Sequence, residues 1–289
     1  MSGIADVFLF VSIALLAIGF FWKHNRCHLV RAAGWTVFGI FWWLQIPDYI
    51  AAVDVFNALA SALALPAFMF FAYHEFLSYR WREEYQPLKF LAGATFLAAG
   101  VFFTVDRIPF LAGNLIQVVA DHTVALLNAF GGNYWTEGIH YPGGFSWYRF
   151  SPEEIYVPIR EADIHIILAC TAIQALAVAV SFIVSTEAKW KRRGIALGIS
   201  IPVIYIMNLV RNVVVIHLYD VQSVSFELAH GSIGKIISLL TLVGLVVLLF
   251  EILPQFYDNI MGSFDLLWRK GPKHEPKDIY ERLLKKKPT

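Results

Sequence analysis

The sequence predicts an all-α polytopic membrane protein of about seven transmembrane helices plus one re-entrant or interfacial helix. Three observations carry that prediction. Hydrophobic residues make up 58% of the 289 and charged residues only 16%, which lies outside the range of soluble domains. Mean hydropathy is +0.59. The apolar residues also gather into runs of about 18 to 25, the length that crosses roughly 30 Å of hydrocarbon at about 1.5 Å per residue. A net charge of +1 leaves no basic face for a nucleic acid, and two cysteines make no disulfide framework.

The first run, residues 4–22, has no basic residue before it and Lys23 and Arg26 after it. That order is the reverse of a cleavable leader, so the run is expected to stay in the protein. Residues 32–46, 51–76 and 88–105 follow as the second to fourth spans. Residues 108–130 are apolar overall but carry Asn114, Gln117, Asp121, His122 and Asn128, and they read as the interfacial or re-entrant helix. Residues 163–186, 194–218 and 231–253 complete the seven. No linker and no internal repeat interrupts the chain, so one membrane domain is expected over 1–254, with an outer loop at 131–162 and a basic tail at 255–289.

Lysine and arginine set the orientation. Lys23, Arg26 and Arg31 follow the first span, Arg80, Arg82 and Lys89 the third, and Lys189, Lys191, Arg192 and Arg193 the fifth. The tail adds Arg269, Lys270, Lys273, Lys277, Arg282 and 285–287. Those segments are expected on the cytoplasmic side, which places the N-terminus outside, the C-terminus in the cytoplasm and 108–130 short of a full crossing.

Within this frame, three chemically able side chains fall in one outer layer. Cys170 lies about 10 Å below the outer boundary and Arg211 about 12 Å from it, while His230 opens the last span from the same side. A free cysteine in an apolar helix ordinarily behaves as a small hydrophobe. An intramembrane arginine is a stronger sign, because it costs at least ~2.5 kcal/mol on insertion scales and usually faces a cavity. Tyr205, Asn208, Arg211 and Asn212 recur at helical spacing and make one polar stripe. Gln174 falls one turn from Cys170, and His230, Gly234, Ser238 and Thr241 form a small or polar face. Thiol, imidazole and cation together suit covalent catalysis: Cys170 as nucleophile, His230 as general acid/base, Arg211 as stabiliser of the thiolate or oxyanion. A transporter, or a non-enzymatic assembly factor with a polar site among its helices, remains the alternative.

The segments 168–174, 202–213 and 230–234 resemble, in order and spacing, the three signature segments of the exosortase and archaeosortase family. The resemblance covers about the C-terminal 130 residues. It implies a membrane cysteine transpeptidase of an archaeal cell membrane, active toward the extracellular face. Its substrates would be surface proteins such as S-layer glycoprotein, carrying a C-terminal signal of a Pro-Gly-Phe motif, a transmembrane helix and a basic cluster. The signal is removed and the new C-terminus passes to a membrane lipid. The nucleophile then falls on Cys170, with Arg211 and His230 as partners.

Tyr134, Trp135, Tyr141, Phe145, Trp147, Tyr148 and Tyr156 crowd the loop 131–162, as a substrate surface or an interfacial aromatic belt. Asp121, His122 and His165 lack the spacing of a metal ligand set, and no metal or cofactor is expected.

Overall fold

The computed structural model describes residues 3–140, 146–152 and 165–272. Its helices are α1 (Gly3–Phe21), α2 (Cys27–Ala51), α3 (Val55–Trp81), α4 (Gln86–Arg107), α5 (Pro109–Ala129), α6 (Ile173–Ser185), α7 (Trp190–Asp220), α8 (Gly234–Ile252) and α9 (Pro254–Asp265). Between α5 and α6 the strands β1 (Tyr134–His140), β2 (Ser146–Pro152) and β3 (His165–Ile166) form an antiparallel sheet in that order. β1 and β2 pair from Tyr134 opposite Pro152 to His140 opposite Ser146. The expected outer loop therefore holds a hairpin; its Tyr141, Phe145 and Tyr156 lie outside the described residues, as does the tail from Lys273 onward.

Seven helical segments are long and apolar enough to cross a membrane: α1 to α5, α7 and the continuous run Glu227–Ile252. The number agrees with expectation, but the membership differs. The segment 163–186 is not one long helix: its helical part is the 13 residues Ile173–Ser185, about 20 Å long and short of the hydrocarbon thickness. Conversely, 108–130 forms the 21-residue α5. Length and composition would allow α5 to cross, and its polar residues find partners in the sheet and in α7, as described below.

The described residues fall into two compact units, one running up to Gly93 and resuming at Asp258, the other being Ala94–Tyr257. In the first unit, small residues let the helices approach closely: a side chain at Gly34 would meet Leu16 at 2.9 Å, and one at Gly39 would meet Leu65 at 3.1 Å. Arg31, counted above among cytoplasmic loop charges, instead lies inside α2 with no exposed surface. It pairs with Glu75 at 2.7 Å and Glu84 at 2.6 Å. His28 Nδ1 lies 2.8 Å from Glu75 Oε2 and 2.8 Å from Arg31 Nη2. Buried charges persist when paired in this way. Cys27, His28 and Glu84 also bring ligand-type atoms within 4.8 Å of one another, but the Arg31 guanidinium already takes the carboxylate. Arg269 is tied down as well, bonding Ser78 at 3.0 Å and Glu83 at 3.1 Å and stacking over Trp81 and Tyr85.

The second unit is organised on α7, whose 31 residues span about 46 Å. α6 runs antiparallel to it: the Cys170 carbonyl meets Asn208 and Asn212, while Val184 meets Arg193. α5 runs parallel to it, because His122 faces Tyr205 and Tyr134, just past α5, faces Asp220. α8 is antiparallel, with His230 beside Arg211 at one end. The core between α5 and α7 contains Ala112, Ile116, Val119, Ala120, Leu127 and Ile216.

Candidate functional site

Cys170 lies in a turn of 3-10 helix, Leu168–Cys170, that precedes α6. This corrects the expectation of a cysteine inside an apolar helix running over 163–186. The helix starts late because the Cys170 carbonyl has other partners. In a continuous α-helix it would accept the backbone N–H four residues on. Here it accepts from Asn208 Nδ2 at 2.8 Å and Asn212 Nδ2 at 3.2 Å. The chain then turns through Ala172 at φ 63°, a left-handed conformation that costs a residue with a Cβ about 1 to 2 kcal/mol. Thr171 secures the turn by donating from Oγ1 to Leu168 O at 2.7 Å. The Cys170 side chain is half-buried.

Arg211, one turn from Asn208 on α7, is half-buried. Its Nη1 donates to Asn212 Oδ1 at 3.4 Å and its Nη2 to His230 Nδ1 at 3.5 Å, while Nε is buried without a partner. Among the described residues no carboxylate pairs with it. Gly234 makes this placement feasible, since a side chain there would meet Arg211 Nε at 3.3 Å and Val215 at 3.1 Å. His230 sits in a π-helical turn, Glu227–Ile233, leading into α8. Such wide turns are rare and are frequent at functional sites.

A cavity of about 210 Å³ opens between α6, α7 and α8, lined by Gln174, Asn208, Arg211, Ser238 and Thr241 among apolar neighbours. It adjoins an apolar groove of about 450 Å³ between α7 and α8, which shares Met207, Thr241 and Leu245 with it. Five of the polar positions singled out from the sequence thus meet around one space. The structure brings Arg211 to His230 and anchors the Cys170 backbone on Asn208 and Asn212, the latter next to Arg211 in the chain; neither Cys170 nor His230 is among the cavity's lining residues. Among the described residues it forms no hydrogen bond from the Cys170 thiol to either.

Tyr205 does not line the cavity; its hydroxyl meets His122 Nδ1 at 2.7 Å. Asp121 accepts from Thr136 Oγ1 at 2.7 Å, so Asp121 and His122 serve separate contacts. Asn128 brackets the start of β1, donating to Tyr134 O at 2.9 Å and accepting from Tyr134 N at 2.8 Å. Tyr134 in turn donates to Asp220 Oδ2 at 2.5 Å. Burial, and then that bond, push its phenol up to about 12, so it stays protonated and donating across the neutral range. Sequence reasoning missed Ala172, which no glycine or proline marks, and Phe226, whose ring stacks on His230.

The family described as "Transmembrane exosortase" matches residues 4–249 of this chain. Archaeosortase A of Haloferax volcanii is 25% identical over 264 residues, spanning 78% of this chain and 80% of that protein. Archaeosortase A of Natronomonas pharaonis is 21% identical over 256 residues, spanning 79% of this chain and 77% of that protein. No solved structure matches.

Proposed function

The chain belongs to the transmembrane exosortase family, and from that premise we propose that it is a membrane cysteine transpeptidase with Cys170 as nucleophile, Arg211 as electrostatic stabiliser and His230 as general acid/base. The observation that carries this reading is Arg211. A permanent cation lines a cavity in a membrane protein with only two long contacts, an unpartnered Nε and no carboxylate among the described residues. A cation left uncompensated in a low dielectric acts most strongly on negative charge that develops during reaction.

The chemistry follows from the donor pattern. Arginine only donates, so His230 Nδ1 accepts and the resting imidazole is neutral with its proton on Nε2. Transfer of the Cys170 proton to Nδ1 replaces the Arg211 contact and releases a guanidinium N–H. The thiolate adds to the scissile carbonyl, whose oxygen becomes an oxyanion facing Arg211. Collapse breaks the C–N bond, His230 protonates the departing amine, and a thioester to Cys170 remains. A membrane lipid bearing a hydroxyl or amine then takes the acyl group and the thiol is restored. Gln174, Asn208, Ser238 and Thr241 offer hydrogen bonds to the peptide in the cavity.

The substrates in this reading are membrane-anchored surface proteins, S-layer glycoprotein among them, with a C-terminal Pro-Gly-Phe motif, transmembrane helix and basic cluster. The apolar groove continuous with the cavity supports a substrate that lies in the membrane. The site faces outward from an archaeal cell membrane, with the Lys189 to Arg193 cluster inside. From Trp190 to Arg211, α7 rises about 32 Å, enough to carry Arg211 from that inner boundary across the hydrocarbon to the outer one.

Co-expression with a substrate bearing such a signal tests the proposal. Cys170→Ala is expected to leave the substrate at its full mass while Cys27→Ala processes it normally; a normally processed substrate in Cys170→Ala overturns the enzyme reading.

A further inference from the structure

Phe226 immediately precedes the π-helical turn that carries His230, and the two rings lie nearly parallel, 5° apart in plane with centroids 5.0 Å apart. That separation at that angle is an offset stack, a favoured arrangement for flat rings. Phe226 is itself held from behind, because Tyr219 at the end of α7 packs edge-on against it at 5.7 Å and 85°. The three rings thus bridge the loop between α7 and α8.

The only hydrogen bond to the imidazole among the described residues is the long one from Arg211 at 3.5 Å. One such contact fixes a point on the ring edge and leaves the ring free to pivot about its side-chain bonds. A stacked face removes the pivot. We infer that Phe226 is a positioning residue: its ring holds the His230 imidazole in the plane that keeps Nδ1 against Arg211, acting through His230 and not on the substrate. The inference rests on the proposed role of His230. Phe226 is 45% exposed, so its replacement leaves the buried core untouched, and its aromatic face, more than its volume, is the property at stake.

The test compares Phe226→Leu, which keeps bulk but loses the flat face, with Phe226→Tyr, which keeps both, in the full-length protein in membranes. Phe226→Leu is expected to lower kcat for substrate processing by about tenfold with KM little changed, and Phe226→Tyr to restore kcat to within about twofold. Equal losses in both variants, or none in Phe226→Leu, overturn the inference. A second readout does not depend on the reaction. The rate of diethyl pyrocarbonate modification of His230, followed by mass spectrometry, is expected to rise in Phe226→Leu and to match the parent in Phe226→Tyr. An unchanged rate in Phe226→Leu overturns the stacking role. Cys170→Ala runs alongside as the control on the reaction: substrate processing by that variant sinks the transpeptidase reading, whereas the modification rates judge Phe226 alone.

Discussion

At the scale of single residues, Arg211 and Gly234 are one device. The guanidinium reaches His230 because nothing stands at the Cβ position of residue 234, where an added methyl would press on Arg211 Nε at 3.3 Å and Val215 at 3.1 Å. Gly234→Ala is therefore expected to shift Arg211 by a few tenths of an ångström and to slow processing on the order of tenfold, with expression near normal; full activity in a single-turnover assay would dissociate the glycine from the cation's placement. Arg211→Lys keeps the charge but loses the planar fork of donors. Its expected loss is about 10² to 10³ in kcat, measured on the same substrate, and retained full activity would mean that a point charge suffices.

At the scale of elements, the decisive feature is the break between the Cys170 turn and α6. Asn208 and Asn212 sit one turn apart on α7, and both donate to the Cys170 carbonyl. Two side-chain amides thereby replace the intrahelical bond that would have drawn Cys170 into α6, and Ala172 takes the strained conformation at φ 63°. Glycine has no Cβ to oppose that conformation. Ala172→Gly is accordingly expected to raise the unfolding midpoint in detergent, by relief of about 1 kcal/mol, and Ala172→Val to lower it. A midpoint that falls in Ala172→Gly would mean the left-handed turn is not strained. The sheet is joined to the same unit by the Tyr134 to Asp220 bond. A phenol raised to about 12 from an ordinary value near 10 adds stability that is present below about pH 10 and is lost as pH rises toward 12.

At the scale of the whole molecule, the proposed chemistry and the most deeply buried ion pair belong to different units. The cavity, Arg211, His230 and the Cys170 turn all belong to Ala94–Tyr257. The unit that runs up to Gly93 instead buries Arg31 and Glu75 with no exposed surface. Removing one partner of a buried pair leaves an uncompensated charge, at a cost of about 3 to 5 kcal/mol. Glu75→Ala is expected to lower membrane yield and thermal midpoint sharply, while the protein that does fold keeps its turnover per molecule. A variant with normal stability and no turnover would assign Glu75 to the chemistry and contradict this division.

Composition and periodicity alone determined that the chain is a multi-helix membrane protein, because burying apolar runs in hydrocarbon depends on residue type and run length and on little else. They also singled out Cys170, Arg211, His230 and the Tyr205, Asn208, Asn212 stripe, since polar side chains at helical spacing stand out against valine and isoleucine. What only the tertiary structure decided is how those residues meet. Nothing in Ala169, Cys170, Thr171 and Ala172 announces a break; it exists because two asparagines 38 and 42 residues further on claim one carbonyl. Arg31 read as a loop charge because its partners, Glu75 and Glu84, are 44 and 53 residues away. Likewise the polar residues of α5, His122, Asp121 and Asn128, find their partners in α7 and in the sheet, which the sequence of α5 does not announce. A polar group in a membrane protein is placed by whatever satisfies it, and that partner is a fact of the fold, not of the local sequence.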